Sequence, residues 1–197
     1  TPGYDQGDLV DNLVDGESFY NAVVALGPVA VSLLKAAYPA ADFTKPYTDP
    51  DVQKAISDIL GDTANAGLVT NLQKMIEVIN VVKAKSALEQ GFFQSAYSIP
   101  DINATDWTKP GYDGLLAVVT DATFTTAAKA GDILTANHLL YKAVNDKGGN
   151  APALFLALYG VDTTAPITLA GYTILSGITQ TPGYDQGDLV DNLVDGE

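Results

Sequence analysis

The chain has 197 residues, 47% of them hydrophobic, and sets 24 acidic residues against 10 lysines with no arginine, for a net charge of −14. Such a surface repels phosphate backbones and lacks the usual reader of base edges, so nucleic-acid binding is excluded. The absence of cysteine removes disulfides, thiolate catalysis and cysteine zinc sites together.

The opening stretch, TPGYDQGDLVDNLVDGE, occupies residues 1–17 and returns without a substitution at residues 181–197. A match this long does not arise by chance, and it defines a period of 180 residues. Residues 1–180 therefore read as one complete repeat and 181–197 as the start of the next, rather than a segment duplicated by design. A unit of this length buries roughly 70% of its unfolded surface and folds without staples. Solenoid units of roughly 20–50 residues, by contrast, do not fold alone. One helical domain per repeat, arranged as beads on a string, is the expected organisation.

After the turn residues Thr1 to Asp5, apolar Leu9, Val10, Leu13 and Val14 recur at helical spacing with carboxylates opposite. Asp5 or Asp8 is the expected cap and Gly16 the expected stop. Ser18 is then expected to cap a second helix, which Gly27-Pro28 ends or kinks before a further helix toward Tyr38. Residues 19–38 form the longest apolar run, and the glycine-proline break leaves halves too short to span a bilayer. This run reads as buried core, and no membrane-spanning segment is expected.

Two stretches then resemble each other. Residues 42–49 and 106–113 both carry an acid, an aromatic, Thr-Lys-Pro, and then tyrosine and aspartate. They point to a degenerate internal repeat with segments 1–43, 44–107 and 108–180, set against the simpler reading that proline-tyrosine turns are common helix entrances. Asp49-Pro50 opens a helix closed by Gly61, and Thr63 or Asn65 caps the clearest helix of the chain, Leu68 through Val82. Residues 91–100 read as a loop packed by its own aromatics. Asn103-Ala104-Thr105 fits the N-glycosylation pattern, a frequent chance match. A helix begins near Leu115 and weakens in the β-branched run 120–126. Asp132 is the expected cap of the next helix, which ends at Lys147-Gly148-Gly149. Pro152 opens a short apolar helix that stops at Gly160. Alternation over residues 161–180 favours an extended or β segment, with a helix as the alternative. The fold class is mainly α: a compact helical bundle of about seven to eight helices per repeat.

Chemistry is sparse. The lone histidine, His138, has no serine at motif spacing, and both phosphate-cradling glycine patterns are missing. An enzyme is not expected, and no cofactor is implied. Asp5, Asp8, Asp11, Asp15 and Glu17 place five carboxylates in thirteen residues. Such oxygens at a repeat junction suit calcium, although the spacing departs from the EF-hand pattern and an exposed, well-capped helix face explains them as well. Phe43, Tyr47, Trp107 and Tyr112 sit in the proline turns, placed either to stack on a ligand or to plug helix ends. The expected function is that of a structural repeat in a secreted or cell-surface tandem-repeat protein, serving as stalk, fibre, filament or adhesin spacer. Its partners would be neighbouring repeats. The alternative is a helical lipid- or small-ligand-binding module of a tandem polyprotein, against which Gln180-Thr181 shows no processing site.

Overall fold

Most helices of this chain start where a side chain or a proline settles the first-turn amides. The computed structural model describes residues 6–124 and 126–195. Among them lie ten α-helices and no strand: α1 Gln6–Ala25, α2 Pro28–Ala37, α3 Pro50–Gly61, α4 Ala66–Lys83, α5 Ala87–Tyr97, α6 Lys109–Thr120, α7 Ala127–Lys147, α8 Ala151–Tyr159, α9 Leu169–Thr179 and α10 Gln186–Asp195. None of them is long and apolar enough to cross a membrane.

The Asp49 carboxylate accepts the Asp51 N–H at 3.0 Å and caps α3, with Pro50 at its first position. Ser86 and Glu89 close a reciprocal capping box on α5. Thr126 caps α7 and Thr168 caps α9 through their hydroxyls. Gly148 and Gly160, both at positive φ, end α7 and α8.

Four expectations are corrected. Gly16 neither ends a helix nor leaves Ser18 as a cap, because α1 runs straight through both. A Cβ on Gly16 would lie 2.6 Å from the Tyr47 hydroxyl oxygen, so this glycine permits close packing instead of stopping the chain. Residues 91–100 are not a loop: most of the stretch belongs to α5, whose Phe92, Phe93, Ala96 and Tyr97 recur at helical spacing and are buried. Asp132 is exposed within α7, whose cap lies six residues earlier at Thr126. Residues 161–168 form a loop with a turn, and α9 follows with Gly171, Tyr172, Leu175 and Ser176 on its buried face. The apparent alternation spans two elements: buried Val161, Thr163 and Ile167 belong to the loop, and Thr168 caps α9.

One hydrophobic core runs the length of the molecule, from Phe19 on α1 through Ile79 and Leu134 to Leu193 on α10. The long helices α1, α4 and α7 pack in succession, and α10 packs on α7. Between them, α3 lies on α1, α6 on α4 and α9 on α7. The corner between α1 and α2 is wedged against the loop ahead of α6, where Gly27 meets the backbone of residues 105–107.

Candidate functional site

The acidic opening stretch can be judged best from its second copy. Asp5 lies outside the described residues, as do the side chains of Asp8, Asp11 and Asp15, while Glu17 is exposed on α1. In the copy at 181–197, Asp185 accepts the N–H groups of Gly187 at 2.7 Å and Asp188 at 3.1 Å, capping α10. Asp191 pairs with Lys147 across the helix interface at 2.8 Å. These carboxylates act as a cap and an ion pair, each worth on the order of 1 kcal/mol or less. Among the described residues no three His, Asp or Glu side chains gather to hold a metal ion.

The turn aromatics are all interior. Phe43, Tyr47 and Tyr112 are each 5% exposed and Trp107 2%. The Tyr20 hydroxyl donates to the Phe43 carbonyl at 2.9 Å and to the Lys45 carbonyl at 2.6 Å, clamping the loop onto α1. The Tyr20 ring packs against both Phe43 and Tyr47. Burial, with the Asp113 charge adding to it, pushes the Tyr112 phenol up to about 12. These rings pack into the interior, and Trp107 also lines a small hollow of about 80 Å³ with Leu26, Ile76 and Ile79. His138 is half-buried and stands edge-on to Phe92 at 5.3 Å.

Besides a hollow of about 300 Å³ between α5 and α7, lined by Leu88, Phe92, His138 and Tyr141, two concave features stand out. The first is a cleft of about 430 Å³ between α6 and α9, lined by Tyr97, Val118, Phe124, Tyr172, Ser176 and Gln180. Tyr97 and Tyr172 are each 1% exposed, with rings 5.4 Å apart. Neither hydroxyl makes a well-formed hydrogen bond. Burial raises the pKa of both, and for Tyr97 the neighbouring Tyr172 adds to it. Behind the cleft, buried Asn137 donates to Ser176 Oγ at 2.7 Å and accepts from the Thr179 hydroxyl at 2.8 Å, tying α7 to α9.

The second is a groove of about 680 Å³ between α8 and α10, walled by Leu154, Leu158, Tyr159, Ile178, Tyr184 and Leu189. Leu158 is 67% exposed, while the Tyr184 hydroxyl is buried without a partner. Sequence reading missed both features. Periodicity reports which helix face is apolar, not whether another helix covers it.

Comparison with family models, with curated proteins and with solved structures returns no match.

Proposed function

We propose that this chain is a structural spacer: a helical repeat of a larger secreted or cell-surface protein, built to set reach in a stalk, fibre or filament. The observation that carries this reading is that one seventeen-residue segment supplies residues 6–17 of α1 and all of α10, two helices at opposite ends of the order of packing. The net charge of −14 fits the same role, because like-charged repeats stay soluble at high local density. Partners in this reading are neighbouring copies, and no catalytic role is assigned.

The test is small-angle scattering on chains of one, two and four 180-residue repeats, with calcium and with chelator. A maximum dimension that grows by a constant step per repeat supports the spacer. A particle that stays the same length while gaining mass removes it. Stiffening by calcium alone would bring back the acidic junction as an ion site.

A second reading, a small-ligand module, is favoured by one observation: the two unpartnered tyrosine hydroxyls in the α6–α9 cleft. An apolar molecule carrying one polar group would fill that space and satisfy them. Native mass spectrometry of the purified chain, with Tyr172→Phe as comparison, tests it. A bound species that survives the substitution with unchanged occupancy counts against this site.

A further inference from the structure

The helix lengths fall into a pattern that the 180-residue period hides. A long helix, a short one, a loop and a medium one follow each other three times: 20, 10 and 12 residues, then 18, 11 and 12, then 21, 9 and 11. The long helices begin at residues 6, 66 and 127, and α10, which repeats the start of α1, begins at 186, so the spacing is close to sixty. This phase differs from the segments 1–43, 44–107 and 108–180, which took the Thr-Lys-Pro resemblance as their guide.

Side chains repeat at the same spacing. A tyrosine closes the second helix of each unit: Tyr97 and Tyr159 are the last residues of α5 and α8, and Tyr38 is the C-cap of α2. Shortly after it, Asp42, Asp101 and Asp162 each turn the loop by accepting the backbone N–H two residues on. The residue between is buried every time: Phe43, Ile102 and Thr163. The Tyr141 hydroxyl donates to the Ala165 carbonyl in the third unit, as Tyr20 does to Lys45 in the first, and each accepting residue stands before a proline. The ring pairs Phe93–Tyr97 and Phe155–Tyr159 match as well, at 4.3 and 4.8 Å.

The packing is serial. Each unit's third helix lies on its own first helix, and each first helix lies on the next unit's first helix. The third helix also covers the second helix of the unit before it: α6 packs on α2 and α9 packs on α5. Tyr172 of α9 thereby seals Phe92 and Tyr97 at ring distances of 5.9 and 5.4 Å. One position in this series is open. On α8, Leu154, Leu158 and Tyr159 hold the places of Phe92, Ala96 and Tyr97, and they wall the open groove against α10.

We propose that the α8–α10 groove is the seat of a third helix, supplied by a further copy of this chain's own first unit, so that the repeats form one continuous solenoid of sixty-residue units. The occupant follows from two independent lines. Residues 186–195 duplicate residues 6–15 at the start of α1, and the partner of α1 is α3. The serial rule separately requires a third helix on α8. Both call for a copy of Pro50–Gly61. In a solenoid each unit contacts its neighbours and stability propagates along the array, so beads joined by hinges are replaced by one stiff rod.

This inference rests on the repeat reading of the chain and is tested apart from it. The chain as it stands is compared with a chain lengthened by a copy of residues 18–61 after Glu197, reading amide exchange in α8 and α10 by mass spectrometry. Exchange in both helices is expected to slow at least tenfold on lengthening. Leu158→Lys should abolish that gain while leaving exchange in the shorter chain unchanged, since Leu158 is exposed there. Ala157→Lys serves as a second variant with the same expectation. An added segment that becomes helical yet leaves α8 and α10 exchanging as before would overturn the solenoid and leave the spacer reading standing as separate beads. An added segment that gains no helix overturns it too, because the groove is then no seat.

Discussion

Replacing Gly27 with alanine puts the architecture under direct strain. Gly27 forms the corner between α1 and α2 with φ 94° and ψ −173°. That region of backbone space is essentially reserved for glycine, and any other residue held there costs about 1–3 kcal/mol. The new methyl would also lie 2.8 Å from the Asp106 Cα and the Thr105 carbonyl oxygen, and 2.9 Å from the Trp107 nitrogen. All three are backbone atoms, so no side chain can swing aside. Carbon contacts are comfortable at about 3.5–4.0 Å, and the loop must therefore retreat by about an ångström. Overpacking of this kind costs a further amount of about 1–3 kcal/mol. Gly27→Ala should lose about 3–5 kcal/mol in urea titration, with a melting temperature lower by about 10 °C for a chain of this size. Trp107 is the only tryptophan and is 2% exposed, so its emission reports movement of this loop. Gly91→Ala is the matched control. That glycine is within α5, an added Cβ meets nothing within 4 Å, and a gain of about 0.5–1 kcal/mol is expected. A Gly27→Ala chain within about 1 kcal/mol of wild type, with unchanged tryptophan emission, would refute the wedge and with it the contact between the first and second units.

Three more outcomes are expected. Thr179→Ala removes the donor to buried Asn137 and should cost about 1–3 kcal/mol, whereas Asn137→Ala with Thr179→Ala together should cost clearly less than the sum of the single changes; simple additivity in denaturant titrations would contradict the network. Tyr172→Phe deletes a buried hydroxyl that has no partner, so it should hold or raise stability by about 1 kcal/mol, and a loss of that size would mean the hydroxyl is satisfied. Hydrogen bonds from Ser86, then from Thr135, hold the Glu89 carboxyl below its ordinary value despite partial burial. A group lowered on folding contributes stability that is fully present above the ordinary carboxylate range and is lost as pH falls through its folded-state value. Glu89→Gln should thus be less stable by about 1 kcal/mol at neutral pH and converge with wild type in acid; a gap that stays constant from pH 7 to pH 3 would remove Glu89 from this role.

Much of the helical content was open to reading, and for local reasons. Asp49-Pro50, Lys147-Gly148-Gly149 and Gly160 punctuate the chain through their own side chains or their own φ, so α3, α7 and α8 begin or end close to where their residues say. The errors share a cause. Gly16 carries the mark of a helix stop, but Tyr47, thirty-one residues on, decides what it is for. The aromatics of α5 read as a loop in sequence because the signal that starts their helix, Ser86 with Glu89, lies upstream of them. The resemblance between residues 42–49 and 106–113 is real in sequence yet out of step with the helices, since the loop that corresponds to Asp42 in its hydrogen bonding turns at Asp101.

By itself the sequence determined that this chain is helical, acidic, free of cysteine and carries one seventeen-residue segment twice, because composition and nearest-neighbour periodicity need no partner to act. Tertiary structure alone decided which apolar faces are closed. Tyr97 and Tyr159 end equivalent helices, yet Tyr97 is buried by Tyr172 while Tyr159 walls an open groove. Burial depends on what arrives from elsewhere in the chain, and free energy follows the area covered, not the residue that offers it.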